Sequence, residues 1–285
     1  MDFVLARSPV LEILCFESHM LPPLRLRLVS RSLRCVQMEW SNVESVAVVD
    51  APLLERLFLR NVPTEAPCCR IKIRHAPALR LFGRFDLATH ELQVCNTIIK
   101  AGTVVNPRAM VPTVKILDLE VRFGVRNDAK MLPSFLRCFP NVETLHIHSE
   151  KTTESTGRLK LKFWQESGAI ECIKSHISMM VFHDFRGERS EVAFLKFFIE
   201  SAQRLKRLQI VFAKGCFSSM DEATSKVKAL FSGKRATERC SLLVCESAVS
   251  EGGGVWDFHR GSDFSCIDPF AFIKFSVSGV GQFSV

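Results

Sequence analysis

The chain has 285 residues, of which 47% are hydrophobic, and its 38 Lys and Arg against 30 Asp and Glu give a net charge of +8. An apolar fraction of about 45–50% is typical of globular proteins and excludes a disordered, collagen-like or low-complexity chain. The sequence has 23 phenylalanines and no tyrosine, which excludes any mechanism that needs a tyrosine hydroxyl.

The cellular compartment is indicated by the apolar runs and the cysteines. No run approaches the ~18 apolar residues of a membrane span, and the apolar residues 3–6 are too few for the roughly 7–15-residue core of a signal peptide. The 11 cysteines are odd in number and scattered, as unpaired thiols are in a reducing compartment. We therefore expect a cytoplasmic or nuclear protein.

An aliphatic L-x-x-L-x-L pattern recurs along most of the chain. Its copies begin at Leu11, Leu33, Val43, Leu54, Cys68, Leu79, Val114, Val142, Ile177 and Leu205. From Leu33 to Leu79 the copies are 10 to 14 residues apart, which is too close for whole repeats. This spacing predicts paired strands, one on a front sheet and one on the return side. The copy at Leu79 is weaker, because Arg84 stands at its last position.

Beyond Leu79 the copies are 35, 28, 35 and 28 residues apart. Leucine-rich repeats have a period of about 20–29 residues with one short strand each, so the longer steps require a loop insertion. Residues 128–138 have helical spacing, with Pro133 near the predicted start, where proline is tolerated. Ser190 is a candidate cap for a second helix. Each helix returns the chain to the next parallel strand.

After Ile210 the pattern stops. Ser219 and Glu222 have the spacing of a capping box for a helix through Leu230, and residues 241–245 predict a strand. This last unit is typical of the atypical repeat that caps a solenoid. The predicted fold class is therefore α/β: a leucine-rich-repeat solenoid of parallel strands with helical or irregular returns and a C-terminal α/β cap. Residues 251–254 (EGGG) predict a flexible break.

Three segments resemble plant F-box/leucine-rich-repeat proteins that carry a C-terminal FBD domain. They are residues 8–14 (SPVLEIL), residues 139–149 (FPNVETLHIHS) and residues 175–208, in which FRGERSE and the following Phe-rich helix are the most specific part. Combined with the repeat pattern, this divides the chain into a leucine-rich-repeat region at 1–150 and an FBD-like continuation and cap at 151–248. We expect the tail at 249–285 to be flexible or poorly defined.

The resemblance implies the substrate-recognition part of a Skp-cullin-F-box ubiquitin ligase receptor, whose F-box docks on a Skp-type adaptor while the repeats hold a target protein. Because the first repeat motif begins at Leu11, we expect the F-box, and adaptor docking with it, to be missing. The alternative is a truncated or stand-alone repeat protein that binds a partner without a ligase role. A nucleic-acid-binding repeat protein is the least favoured alternative.

Motifs for catalysis and cofactors were not found in the sequence. It contains no Walker loop, no G-x-G-x-x-G, no H-E-x-x-H and no C-x-x-C, the patterns of phosphate, dinucleotide and zinc sites. The adjacent Cys68 and Cys69 are poorly spaced for chelating one metal. We therefore expect that the protein is not an enzyme and that it has no cofactor and no metal site.

His146 and His148 form the most suggestive polar pair, because both point to one face of a predicted strand. Asp118 and Glu120 occupy the same positions one 28-residue repeat earlier. Since neighbouring strands lie about 4.8 Å apart, we expect Asp118 beside His146 and Glu120 beside His148. This predicts a solvated ion-pair ladder on the exposed sheet face, in which the acids raise the pKa of the imidazoles. Metal ligation is the less favoured alternative.

The positive charge is concentrated near the N-terminus. Residues 21–84 hold 11 Lys and Arg against five acids, a net +6. Several alternate with aliphatic residues, as in Arg25 and Arg27 or Arg70, Lys72 and Arg74, which predicts a basic stripe on one sheet face. An acidic protein partner is favoured over a merely solvated face. Nucleic acid is less favoured than either, because no aromatic residues are interleaved for base stacking.

The candidate partner-binding residues flank the inward-pointing aliphatics of the repeat strands. They are Arg56, Phe58, Arg60, Asp118, Glu120, His146, His148, Arg207 and Gln209. We expect these side chains to lie on the exposed face of the parallel sheet and to bind a target protein there, with no role for a membrane.

Overall fold

The computed structural model describes residues 5, 7–17, 24–39, 43–60, 68–152, 156–157, 159–233, 236–237, 240–247, 257–271 and 275–284, with only the backbone for Arg60 and for 275–284. The strands are β1 Ile13–Glu17, β2 Leu24–Val29, β3 Cys35–Glu39, β4 Val43–Asp50, β5 Arg56–Arg60, β6 Cys69–Ile73, β7 Leu81–Asp86, β8 His90–Val94, β9 Thr97–Ile98, β10 Ile116–Val121, β11 Thr144–Ser149, β12 Met179–Phe185, β13 Arg207–Phe212, β14 Ser241–Ser247 and β15 Phe275–Ser284. The α-helices are α1 Arg126–Arg137, α2 Leu161–Glu166, α3 Arg189–Ser201, α4 Met220–Lys228 and α5 Phe258–Ser262.

Two sheets form the repeat array. The front sheet has the order β1-β3-β5-β7-β10-β11-β12-β13-β14-β15, and the return sheet has the order β2-β4-β6-β8-β9. Pairing in the front sheet is parallel except between β14 and β15. Up to β8 the chain alternates between the two sheets, which confirms the paired strands predicted from the closely spaced motifs. Beyond β9, helices replace the return strands, and none of the described helices is long and apolar enough to cross a membrane.

The main core lies behind the front sheet. In the parallel register, equivalent aliphatic positions of the repeats stand in line across neighbouring strands and are fully buried. One such row consists of Val36, Leu57, Phe82, Leu117, Leu145, Met180, Leu208 and Leu242. Each side chain of this kind contributes roughly 1.5–3 kcal/mol when buried. The repeating aliphatic pattern therefore accounts for the stacking of the strands.

Two irregularities interrupt the front sheet at equivalent places. The register of β7 with β10 shifts between Leu117 and Leu119, and Phe85 takes the core position. The weak copy at Leu79 therefore ends at Phe85, and the sequence-based assignment of Arg84 to its last position is wrong. A second shift in β12 precedes Phe185. At these sites Arg84 and Asp184 both have φ of 57°, a left-handed conformation that is uncommon for non-glycine residues.

The helices are present as predicted, but two details differ. Because α1 begins at Arg126, Pro133 lies inside the helix and not near its start. Helix α3 is capped by Glu188, which forms a reciprocal capping box with Glu191, so Ser190 is not the cap. The Oγ of Ser219 does accept a hydrogen bond from the backbone N–H of Glu222 at the start of α4.

Residues 257–271 and 275–284 do not form the flexible tail that the sequence predicts for 249–285, and the predicted break at 251–254 lies outside the described residues. Residues 257–271 contain α5 and a 3-10 turn at Pro269–Ala271, and they pack across the front sheet. Strand β15 pairs antiparallel with β14 at the end of that sheet. These two described segments are thus part of the fold.

Candidate binding face on the front sheet

The face of the front sheet that points away from the return sheet carries most of the predicted site, and we call it the front face. Register aligns Phe58 with Gln37 on one neighbouring strand, and His146 with Asp118 on another. His148 is likewise aligned with Glu120. The predicted neighbours Asp118–His146 and Glu120–His148 are confirmed, because parallel repeats place equivalent residues side by side.

The expectation that these residues are exposed is wrong for most of them. Arg56, Phe58, Asp118, His146 and Gln209 are all buried, at no more than 5% exposure. Glu120 and His148 are partly buried, and Arg207 is exposed. The side chain of Arg60 lies outside the described residues. A partner-binding role for this set stays a prediction.

Residues 257–271, here called the covering segment, account for the burial of Arg56. One terminal nitrogen of Arg56 donates to the carbonyls of Gly261 and Asp263 at 2.9 and 3.0 Å, and the other donates to the carbonyl of Cys266 at 2.8 Å. Gln37 donates to the carbonyl of Phe258 at 3.0 Å. The front face therefore holds this segment largely by its main chain.

Two phenylalanines of the covering segment supply apolar contacts. Phe270 packs edge-on against Phe58, with ring centroids 5.4 Å apart, and lies over Gly83. A Cβ atom on Gly83 would stand 2.1 Å from Cζ of Phe270, so glycine is required for this close approach. The guanidinium of Arg34 lies over the ring of Phe264, with its Cζ atom 3.8 Å from the ring centroid.

A cluster of charged and imidazole side chains lies beside Phe270. We call Arg84, Asp118, Glu120, His146, His148, His183, Asp184 and Asp268 the polar cluster. Nε2 of His148 is 3.2 Å from Asp118, diagonally across the register. Nε2 of His146 is 3.0 Å from Oδ2 of Asp268, in the covering segment. The rings of His148 and His183 are stacked 3.9 Å apart.

The electrostatics of the polar cluster differ from a solvated ladder. Burial lowers the pKa of His148, Arg84 lowers it further, and Asp118 only partly offsets them, so the predicted rise is wrong for His148. Burial also lowers the pKa of His183 well below its ordinary value, assisted by its two histidine neighbours. Desolvation alone would raise the pKa of Asp118, but Arg84 and the histidines outweigh it and keep that carboxyl ionised.

Glu120 titrates differently from Asp118. Burial raises its pKa to about 7, with Arg84 opposing and Asp86 assisting the rise. The guanidinium of Arg84 lies 3.5 Å from the carboxyl of Glu120 and 3.8 Å from that of Asp118, so it forms an ion pair with each of the two acids. The chemistry of this region is that of a buried ion network. Among the described residues, no group of three or more His, Cys, Asp or Glu has metal-ligand geometry.

Sequence reasoning missed several members of the site. Gln37 and His183 occupy the same outward repeat positions as the predicted residues, and this signal was available. Arg84 and Asp184 reach the front face through the two strand irregularities, which the aliphatic pattern does not reveal. Asp268 follows the last recognisable repeat, where no pattern marks it.

The basic stripe lies on the outer face of the return sheet. Arg25 and Arg27 on β2 and Arg70 and Lys72 on β6 alternate with buried aliphatics, as predicted. Arg25 forms two hydrogen bonds of 2.7 Å with Glu44, and Arg70 pairs with a glutamate of β8. Two of these four cations on β2 and β6 are therefore paired within the sheet, which weakens the attraction of this face for an acidic partner.

Comparisons with known proteins give two family matches. The family model described as FBD-associated F-box protein At5g56370, LRR repeats, matches residues 1–147, and the FBD model matches residues 165–210. No F-box model is among these matches. Comparisons with curated proteins and with solved structures find no match. The FBD match contains β12, α3 and the first four residues of β13, and the first match contains the alternating strands of both sheets.

Proposed function

Because the chain belongs to the family of the leucine-rich repeats of FBD-associated F-box proteins, we propose that it is the substrate-recognition part of a Skp-cullin-F-box ubiquitin ligase receptor. In this proposal it is a non-catalytic module that holds a target protein on the front face. A cytoplasmic or nuclear location belongs to the proposal, and its 11 free cysteines support that location.

One observation carries the proposal: the front face already binds a polypeptide segment. Arg56 donates three hydrogen bonds to main-chain carbonyls of the covering segment. Hydrogen bonds of a charged donor contribute about 1.5–3 kcal/mol each. Main-chain carbonyls are common to all proteins, so this way of holding a chain suits a surface that binds other polypeptides.

Capture of a target by the full chain tests the proposal. Arg207 is exposed on the front face, whereas Arg27 is exposed on the return sheet. Proteins captured from an extract by the wild type are expected to be retained by Arg27→Glu and lost with Arg207→Glu, and cross-links should map to the front face. Targets that bind both variants equally would contradict a front-face site.

The ligase role needs a separate measurement. Binding of purified Skp-type adaptor to the full chain, followed by ubiquitination of the captured target in a reconstituted ligase, is the expected result for a receptor. Target capture without adaptor binding would overturn the receptor role and leave an interaction module.

A further inference from the structure

We infer that the front face between β3 and β11 is a groove for a peptide segment of another protein with the pattern Asp-x-Phe, and that the covering segment occupies this groove in cis. The inference rests on the proposed function, because it names the chemistry of the segment that the front face recognises. Three features of the groove carry it: a recess for an aromatic ring, a donor for a carboxylate and a clamp for the main chain.

The aromatic recess is built by the absence of a side chain at Gly83. Phe58 and His146 form its walls, with ring centroids 5.4 and 5.5 Å from that of Phe270. Phe270 is only 5% exposed in this recess. A smaller apolar side chain would leave part of the recess empty, so the groove selects a ring.

The carboxylate donor is His146, which is fully buried and lies 3.0 Å from Oδ2 of Asp268. The other oxygen of Asp268 accepts a hydrogen bond from the backbone N–H of Phe270 at 3.0 Å. The Asp-x-Phe unit is thus a local turn that fixes the carboxylate and the ring relative to each other. A partner with the same three-residue pattern can present both groups in the same way.

The main-chain clamp is Arg56, whose side chain reaches the last turn of α5 and the residues that follow it. Its three acceptors are carbonyls, so the clamp sets the path of the bound chain without selecting its side chains. Selection is left to the recess and to His146.

The covering segment differs from the cap of a solenoid. A cap shields the open end of the repeat core, whereas the covering segment lies over the middle strands of the front sheet. The main core behind that sheet is buried by the repeats themselves, and Phe270 belongs to a separate small cluster with Cys35, Phe58, Leu81 and Ile116. The covering segment therefore binds to the front face as a ligand would, and the repeats do not need it to bury the main core.

A labelled peptide with the sequence of residues 257–271 tests the inference on the full chain. The double variant Asp268→Asn with Phe270→Ala removes the carboxylate and ring contacts of the cis segment but leaves its contacts with Arg56. The cis segment should then compete more weakly, so this variant is expected to bind the peptide at least about tenfold more tightly than the wild type. Ile267→Ala is the matched control, since this side chain of the same segment is 81% exposed. It should bind as weakly as the wild type.

Two further variants locate the binding. Adding Gly83→Val to the double variant should abolish the gain in affinity. A peptide with its own Asp268→Asn and Phe270→Ala changes should bind at least about tenfold more weakly to the double variant. A folded double variant, judged by its unfolding transition, that binds no peptide would overturn the inference. Such a failure leaves the proposed function standing, because target capture at Arg207 is measured without the peptide.

A second measurement serves if the double variant fails to fold. Excess peptide added to the wild type should raise hydrogen exchange in residues 257–271 by displacing them, and unchanged exchange at saturating peptide would overturn the inference. A wild-type dimer that the peptide dissociates would assign the groove to the same segment of a second copy, which also overturns recognition of a different protein.

Discussion

Replacing Glu191 tests the structural reasoning about the FBD segment. This fully buried carboxylate accepts hydrogen bonds from Oγ of Ser149 at 2.5 Å and from the backbone N–H groups of Arg186 and Glu188 at 3.1 and 2.8 Å. Loss of a helix cap costs about 1 kcal/mol, and a buried donor left without an acceptor costs about 1–3 kcal/mol. We expect Glu191→Ala to lower the free energy of unfolding by about 4 kcal/mol.

A second variant, Glu191→Gln, tests how the contribution of this side chain to the free energy of unfolding depends on pH. Burial raises the pKa of Glu191 to about 7 from its ordinary 4.5. Between these values the folded protein binds more protons than the unfolded chain, so this group's contribution to stability is lost as the pH rises. Glu191→Gln cannot titrate. Relative to the wild type it should gain about 2–3 kcal/mol between about pH 5 and about pH 8.

Urea unfolding at both pH values measures these free energies. Ser190→Ala is the matched control, because Ser190 is a buried neighbour whose hydroxyl has no hydrogen bond within the described part of the chain. It should have a small effect that is independent of pH. A difference between Glu191→Gln and the wild type that is constant with pH would refute the linkage, and a Ser190→Ala effect as large as that of Glu191→Ala would refute the cap assignment.

Three other predictions concern the front face. Gly83→Ala places a Cβ atom 2.1 Å from Phe270, so hydrogen exchange should rise in residues 257–271 but not in the neighbouring strands, and unchanged exchange would contradict the recess. The lowered pKa values of His148 and His183 make the folded state lose stability as the pH falls below 6.5; His183→Phe should reduce that loss, whereas a parallel pH profile in urea unfolding would argue against it. Arg84→Gln should raise the pKa of Glu120 above about 7, measured by carboxyl NMR titration, and an unchanged titration would rule out the assigned ion pair.

The parts of the site that the sequence predicts are those fixed by periodicity. Two-residue alternation on a strand and equal spacing between repeats are enough to set Asp118 beside His146 in a parallel sheet. The same rule carries no information about Arg84 or Asp184, whose left-handed backbone shifts the alternation by one residue. The position of these two charged side chains on the front face therefore cannot be predicted from the sequence and is known only from the structure.

The covering segment escapes sequence reasoning for a different reason. Its strongest contacts are between Arg56 and main-chain carbonyls, and every residue type supplies a carbonyl. Without this segment the outward repeat positions are expected to be solvated, and an acid beside a solvated imidazole raises its pKa. In the folded protein His148 is largely desolvated, and burial together with Arg84 lowers its pKa. The segment therefore explains the error in exposure for Arg56, Phe58 and His146, whereas the error in pKa follows from the burial of His148 beside Arg84.

Asp268 and Phe270 of the covering segment shield His146 from water. A last prediction concerns the protonation of the polar cluster when the segment is displaced. Removing Asp268 and Phe270 would open to water His146, whose Nδ1 lies 3.2 Å from Nε2 of His183. Because burial is the largest cause of the lowered pKa of His183, His183 should then take up a proton more readily. A bound peptide with the Asp-x-Phe pattern places the same two side chains over His146 that the covering segment places there. Its binding to the wild type should therefore cause no net uptake or release of protons. Calorimetric titration of the peptide into the full chain at about pH 6, in two buffers of different ionisation enthalpy, measures proton uptake directly. Equal binding enthalpies are expected, and a buffer-dependent enthalpy would mean that the incoming peptide leaves the polar cluster open to water.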